Sequence, residues 1–247
     1  MEKRTVSQAG KLAFTLAEGV SHGDIFNGFH KIAFTLAEVL ITLGIIGIVA
    51  AMTLPALLAK YQKIETVARL KKFNSTMQQA ILFAEKDYGE VKTWDIAFPW
   101  SYNPSTWNNL TKTFLGKYIL PYIKYASLET VSDCDDPDAH LRLNFYDGSN
   151  ACVKNGVCMD FTFDVNGNKK PNKLGVDRFV YLLCPKNTNW YWVDGHRVFG
   201  PNSSASAYNN RARLLENCNS TFNGSGICAR LIELDGWEIK DDYPIKF

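Results

Sequence analysis

Between Glu38 and Lys60 the chain carries no charge: residues 39–59 form a run of 21, most of them Leu, Ile, Val, Ala or Gly. A helix rises about 1.5 Å per residue, so such a run reaches across a hydrocarbon core of about 30 Å. That length decides the class of protein before any other feature is read. Glu38 stands at the edge of the run, where an ionised side chain is expensive in lipid and calls for a function. A plain membrane anchor has no use for it.

The residues around Glu38 carry a resemblance. The stretch Lys31-Ile32-Ala33-Phe34-Thr35-Leu36-Ala37-Glu38-Val39-Leu40-Ile41 resembles the processing and methylation signal of type IV pilins and type II secretion pseudopilins. The resemblance is dense over residues 31–55, about a tenth of the chain. Members of that family more often have Gly before the cut, where this chain has Ala33. The resemblance implies cleavage between Ala33 and Phe34 by a prepilin peptidase, N-methylation of Phe34, and a role for Glu38 in assembly. It implies polymerisation with other pilin or pseudopilin subunits on an inner-membrane assembly platform, after a stage in membrane lipid. The expected location is a single-pass bacterial inner-membrane protein with its N-terminus in the cytoplasm and its head outside, which later enters a pilus or pseudopilus.

On this reading residues 1–33 are a leader that is removed, 34–59 a transmembrane and assembly helix, 60–88 an amphipathic stem, and 89–247 a head stabilised by disulfides. Residues 11–19 nearly repeat 31–39, but Ser21, His22, Gly23 and Asp24 follow the first copy instead of an apolar run. That copy cannot insert as a helix by itself. The net charge of the chain is +2, a near-neutral balance that argues against nucleic acid as a partner. Lys31 lies before the apolar run and Lys60, Lys63 and Arg69 after it, so charge bias is a weak guide to orientation.

Pro55 removes one backbone hydrogen bond from the helix and is expected to kink or loosen it. Beyond Lys60, Leu70, Phe73, Met77, Ile81, Ala84 and Tyr88 recur at steps of three and four and mark one helical face. A single helix is expected from Phe34 to Tyr88, stopped by Gly89.

In the head the period changes to two. Leu141, Leu143 and Phe145 alternate with polar neighbours, as do Val157, Met159, Phe161, Phe163 and Val165; both are expected strands. Residues 178–184 form another, and 190–193 with 196–199 read as a hairpin around Asp194-Gly195. An antiparallel sheet of four to five strands is thus expected to cover the apolar stem face. The fold class is α+β, the pilin-like arrangement of one long N-terminal helix on a sheet. Ser105 is a candidate cap for a helix carrying Trp107, Leu110, Phe114 and Tyr118, and 206–216 and 227–234 are candidate short helices.

Cys134, Cys152, Cys158, Cys184, Cys218 and Cys228 all lie beyond the apolar run, as disulfides in an oxidising compartment would. Six cysteines allow 15 connectivities. A bridge from Cys152 to Cys158 across a turn at Asn155-Gly156, one from Cys218 to Cys228, and one from Cys134 to Cys184 is one reading.

Asp164, Asn166, Asn168 and Asp177 offer oxygen atoms near one another in sequence, as calcium loops do. The spacing departs from an EF-hand, with Gly167 at the fourth place and Gly175 at the twelfth, and a plain turn is the preferred reading. No other cofactor or metal is expected. Lys169, Lys170, Lys173 and Arg178 make a small basic patch, and Trp94, Trp100, Tyr102 and Trp107 are candidates for a sugar-binding surface. The sequence has no G-x-S-x-G, H-E-x-x-H, G-x-G-x-x-G or P-loop, and an enzyme is not expected. The first functional reading is a filament or pseudopilus subunit. The alternative is a minor pilin-like adhesin or binding subunit for sugar, a surface or DNA.

Overall fold

A computed structural model describes residues 35–94, 104–132, 134, 141–156, 158–184, 198–203, 207–219 and 225–247. The leader, Ala33 and Phe34 lie outside the described residues, as do Trp100, Tyr102 and the Asp194-Gly195 hairpin. Helix α1, Leu36–Tyr88, is continuous through Pro55 and ends one residue before Gly89. The chain divides into two compact units, Met1–Val49 and Ala50–Phe247. In the first unit, the described residues 36–49 are all helix.

The second unit is α+β. Its six strands are β1 (Ser127–Thr130), β2 (Leu141–Asn144), β3 (Asn150–Asn155), β4 (Met159–Asp164), β5 (Arg178–Leu183) and β6 (Phe199–Pro201). They form one sheet in chain order, every neighbouring pair antiparallel. The β2–β3 and β3–β4 connections are short, as an antiparallel neighbour needs only a turn; the other three are longer. Helix α2 (Pro104–Tyr118) precedes the sheet, and α3 (Arg211–Cys218) and α4 (Cys228–Leu234) follow it.

The strand alternation places one set of side chains in the core. Ala151 and Val153 of β3, Met159, Phe161 and Phe163 of β4, and Phe179, Tyr181 and Leu183 of β5 are all buried. Against them lie Leu70, Phe73, Met77, Ala80, Ile81 and Ala84 of α1. Phe73 stacks on Phe163 at 4.2 Å between ring centres and meets Tyr181 edge-on at 5.1 Å. The Tyr181 hydroxyl donates to the Leu70 carbonyl at 3.4 Å. Tyr88, the last residue of the expected stripe, is 45% exposed; it meets Tyr118 edge-on and lies under Lys117 Nζ. On the other face of β5, Leu182 is buried; α4 also packs against this strand.

Several expectations need correction. The sheet has six strands instead of four to five. The strand β1 is short, with two of its four residues exposed, and β3 reads Asn-Ala-Cys-Val-Lys-Asn, whose inward side chains are too small or polar to mark an apolar alternation. Helix α2 begins at Pro104, one residue before the expected cap position; Pro suits a first helical position, where its missing N–H costs no bond. Asn210 caps α3, its side chain accepting from the Arg213 N–H.

All six cysteines are paired, but as Cys134–Cys152, Cys158–Cys184 and Cys218–Cys228. Only the third matches the expected pairing. The register explains the other two. Met159 pairs with Leu183, so the next step along the same ladder places Cys158 opposite Cys184, with Cα atoms 4.5 Å apart. Cys152 lies inside β3 opposite Thr162, away from the turn that Cys158 follows, and takes Cys134 from the β1–β2 connection. Peptide mapping of unreduced protein is expected to recover these three pairs and no Cys152–Cys158 peptide. Phe73→Ala is expected to lower stability by about 3–5 kcal/mol, read from the denaturation midpoint.

Candidate functional site

Helix α1 starts with a capping box. Thr35 precedes its first residue, and Glu38 occupies the third helical position. Oε2 of Glu38 accepts from both the Thr35 N–H and the Thr35 hydroxyl at 2.8 Å. The Thr35 hydroxyl in turn accepts from the Glu38 N–H at 3.2 Å. This reciprocal pattern satisfies N–H groups that a helix start leaves open. The T-x-x-E spacing at residues 35–38 was the signal for it in the sequence. Glu38 therefore has a local structural task beside any role in assembly.

Beyond this cap the helix is bare. Leu40, Ile41, Leu43, Ile45, Ile46, Ile48, Met52, Leu57 and Leu58 are each more than half exposed. Their directions change around the helix from one residue to the next, so no single face is spared. The helix is long and apolar enough to cross a membrane. A surface apolar all round is stable only in lipid or among other apolar helices.

Where the stem meets the sheet, polar groups take over. Arg69 donates to Glu65 and to the backbone carbonyls of Asp147 and Val165. Lys72 donates to Asp147 at 2.7 Å, and Ser149 donates to the same carboxylate through both its N–H and its hydroxyl. Burial works to raise Asp147, but the Lys72 and Ser149 hydrogen bonds outweigh it and hold the carboxyl at about 2.

The candidate cation residues form a hydrogen-bonded turn. Asp164 and Asp177 are buried. The Asp164 carboxylate accepts from the Asn166 N–H and from Arg178 Nε at 2.9 Å. Asp177 accepts from the N–H groups of Asn172 and Lys173 and from the Asn166 side chain. Both carboxylates are thus engaged by N–H donors. Asn168 is exposed. Burial pushes Asp164 up to about 7, and the Asp177 charge adds to the rise against the Asn166 and Gly167 N–H groups. Gly167 (φ 72°) is required here, since a Cβ would lie 2.4 Å from the Gly148 carbonyl oxygen. Among the described residues no group of three or more His, Cys, Asp or Glu is placed to hold a metal.

Of the expected basic patch, Arg178 is taken by Asp164. The exposed Lys169, Lys170 and Lys173 instead line a cleft of about 580 Å³ together with Lys246. Of the aromatic candidates, Trp94 is buried, stacked on Tyr118 at 4.4 Å, and donates its ring N–H to the Gly89 carbonyl. It is a core side chain and offers no sugar-binding face. Trp107 lies half-buried on α2.

A family of unknown function, DUF6613, matches residues 56–247. The chain belongs to that family. The DUF6613 match takes in the buried stem and all six strands, and begins after Glu38 and Pro55. No curated protein and no solved structure matches the chain.

The Asp147 contacts generate a pH dependence. Its carboxyl is lower in the fold than its ordinary 3.8, so its stabilisation is present above that value and is lost as pH falls towards about 2. Asp147→Ala is expected to remove this part of the acid dependence. At neutral pH the loss is roughly 1 kcal/mol, because solvent screens a partly exposed pair. Denaturation midpoints of both proteins between pH 2 and 7 check it.

Proposed function

We infer that this chain is a structural subunit of a type IV pilus or type II secretion pseudopilus. The observation that carries the reading is the bare apolar helix with one acid, Glu38, in its first turn. The cleavage-like stretch at residues 31–41 adds to it. On this reading the subunit waits in the inner membrane with its head outside. A prepilin peptidase cuts before Phe34, the new amine is methylated, and an assembly platform passes the subunit to its neighbours.

The chemistry of Glu38 makes processing and assembly one event. A carboxylate inside lipid costs on the order of 2.5–3.5 kcal/mol by insertion scales. The amine freed at Phe34 is a cation that offsets this cost when brought alongside in a medium of low dielectric. Before cleavage that nitrogen is an amide and cannot serve. The pair forms between adjacent subunits, so it favours polymer over monomer.

The capping box supplies a competing explanation, and two variants separate them. Gln at the third position can still complete a capping box, whereas Val cannot. If Glu38 acts through its charge, Glu38→Gln and Glu38→Val both lower the ratio of protein in sheared filaments to protein in membranes. If Glu38 only caps the helix, Glu38→Gln assembles like wild type. Intact mass checks that each product begins at Phe34 with a methylated amine; a product retaining residues 1–33 overturns the reading.

A second reading, a minor pilin-like adhesin or binding subunit for sugar, a surface or DNA, is favoured by the cleft beside the β4–β5 loop, where Arg69, Lys169, Lys170, Lys173 and Lys246 outnumber Glu65, Asp147 and Asp177. Abundance in sheared filaments separates the two: bulk component for the first, trace component for the second.

A further inference from the structure

The last helix, α4, ends in a turn that does more than stop it. The Gly236 N–H donates to the Glu233 carbonyl at 3.0 Å and the Trp237 N–H to the Ile232 carbonyl at 2.8 Å, the two bonds of a Schellman motif. Gly236 has φ 81°, where glycine is at ease. Trp237 has φ 64°, a backbone conformation that a bulky side chain rarely adopts. The turn thereby directs residues 237–241 back to α1.

There Trp237, Glu238, Ile239 and Asp241 line one side of a cleft of about 530 Å³, whose other side is Ala56, Ala59, Lys60, Lys63, Ile64 and Val67 of α1; Lys240 is held by Asp235. These positions recur at helical spacing and share a face. Ala56 and Ala59 belong to the uncharged run; Lys60 is the first charge after it. The floor is apolar. The rim holds two cations, Lys60 and Lys63, and two anions, Glu238 and Asp241. Among the described residues none of the four has an ion-pair partner of opposite charge. Trp beside Lys at the end of an apolar run is the composition of a membrane–water interface, where an amphipathic ring and long cationic side chains reach the headgroups.

We propose that this cleft holds one zwitterionic phospholipid of the leaflet facing the head. The phosphate lies by Lys60 and Lys63, the ammonium of a phosphatidylethanolamine lies by Glu238 and Asp241, and acyl chains follow the alanine face into the membrane. Rim charges of both signs favour this headgroup over an anionic one, which the two carboxylates repel. The inference rests on the membrane-anchor part of the proposed function and not on polymerisation.

Native mass spectrometry of the full-length protein released from nanodiscs of equal phosphatidylethanolamine and phosphatidylglycerol tests it. Wild type is expected to retain one phosphatidylethanolamine. The double variant Lys60→Glu/Lys63→Glu is expected to lower that retention about tenfold, a change of about 1.4 kcal/mol. Trp237→Gly suits the backbone of the turn but lacks the ring, and is expected to lose lipid with its disulfide map unchanged. Lys71→Glu, outside the cleft, is expected to retain lipid as wild type does. Equal retention of phosphatidylglycerol, unaltered retention in the cleft variants, or a second copy of the chain in place of lipid overturns the proposal. Failure of the protein to enter nanodiscs overturns the anchor reading itself, and is told apart by the absence of protein from the disc fraction.

Discussion

Phe73 against Phe163 is the contact on which the head depends. One ring from α1 lies flat on one ring from β4, and Tyr181 and Phe199 close around it edge-on. Large rings in such offset and edge arrangements bury much apolar area and fix orientation as well. Towards its end the stem also meets α2 and the turn after it, where Tyr88 touches Tyr118 and Phe83 touches Tyr122. Each element is amphipathic in its own period, 3.6 for the helix and 2 for the strands, and the two apolar faces solve one another's exposure.

The same helix lives by two rules. From Thr66 to Ala84 one stripe is buried and the other side is exposed and mixed, with lysines and glutamines beside Leu82 and Phe83. Over residues 36–58 it is apolar all round and bare. Lys60 marks the change, and from Ala59 onward side chains of the C-terminal segment begin to cover it. At the change, Lys60 and Lys63 of the helix line one cleft with Trp237, whose backbone is held by the turn after α4.

Glu38 shows why a residue that looks out of place need not have one explanation. Its hydrogen bonds to Thr35 are complete within one turn of the chain, so the residue is at ease as a helix cap. The cost that makes it notable arises only when lipid surrounds it. Local geometry and membrane energetics thus make separate demands on one carboxylate, and only a change of charge that preserves the cap distinguishes them.

Much of this was legible from the chain alone. The length of the uncharged run, the helix stop at Gly89, the stem stripe and the strands around Phe161 and Tyr181 are local patterns, set by side-chain period and turn chemistry. So was the use of all six cysteines in disulfides, which follows from where they occur. Of the cysteine partners, only Cys218 with Cys228, close in sequence, was legible. Cys158 meets Cys184 because β4 and β5 pair in one register, and register is a property of two strands together. In the same way β1 and β3 carry weak patterns of their own and become strands through β2 and β4. Trp94 reads as a loop aromatic until Tyr118 stacks on it, and Arg178 as part of a basic patch until the sheet brings Asp164 to it. Period and composition act over a few residues; pairing, burial and charge partnership act across the fold, and only the tertiary structure decides them.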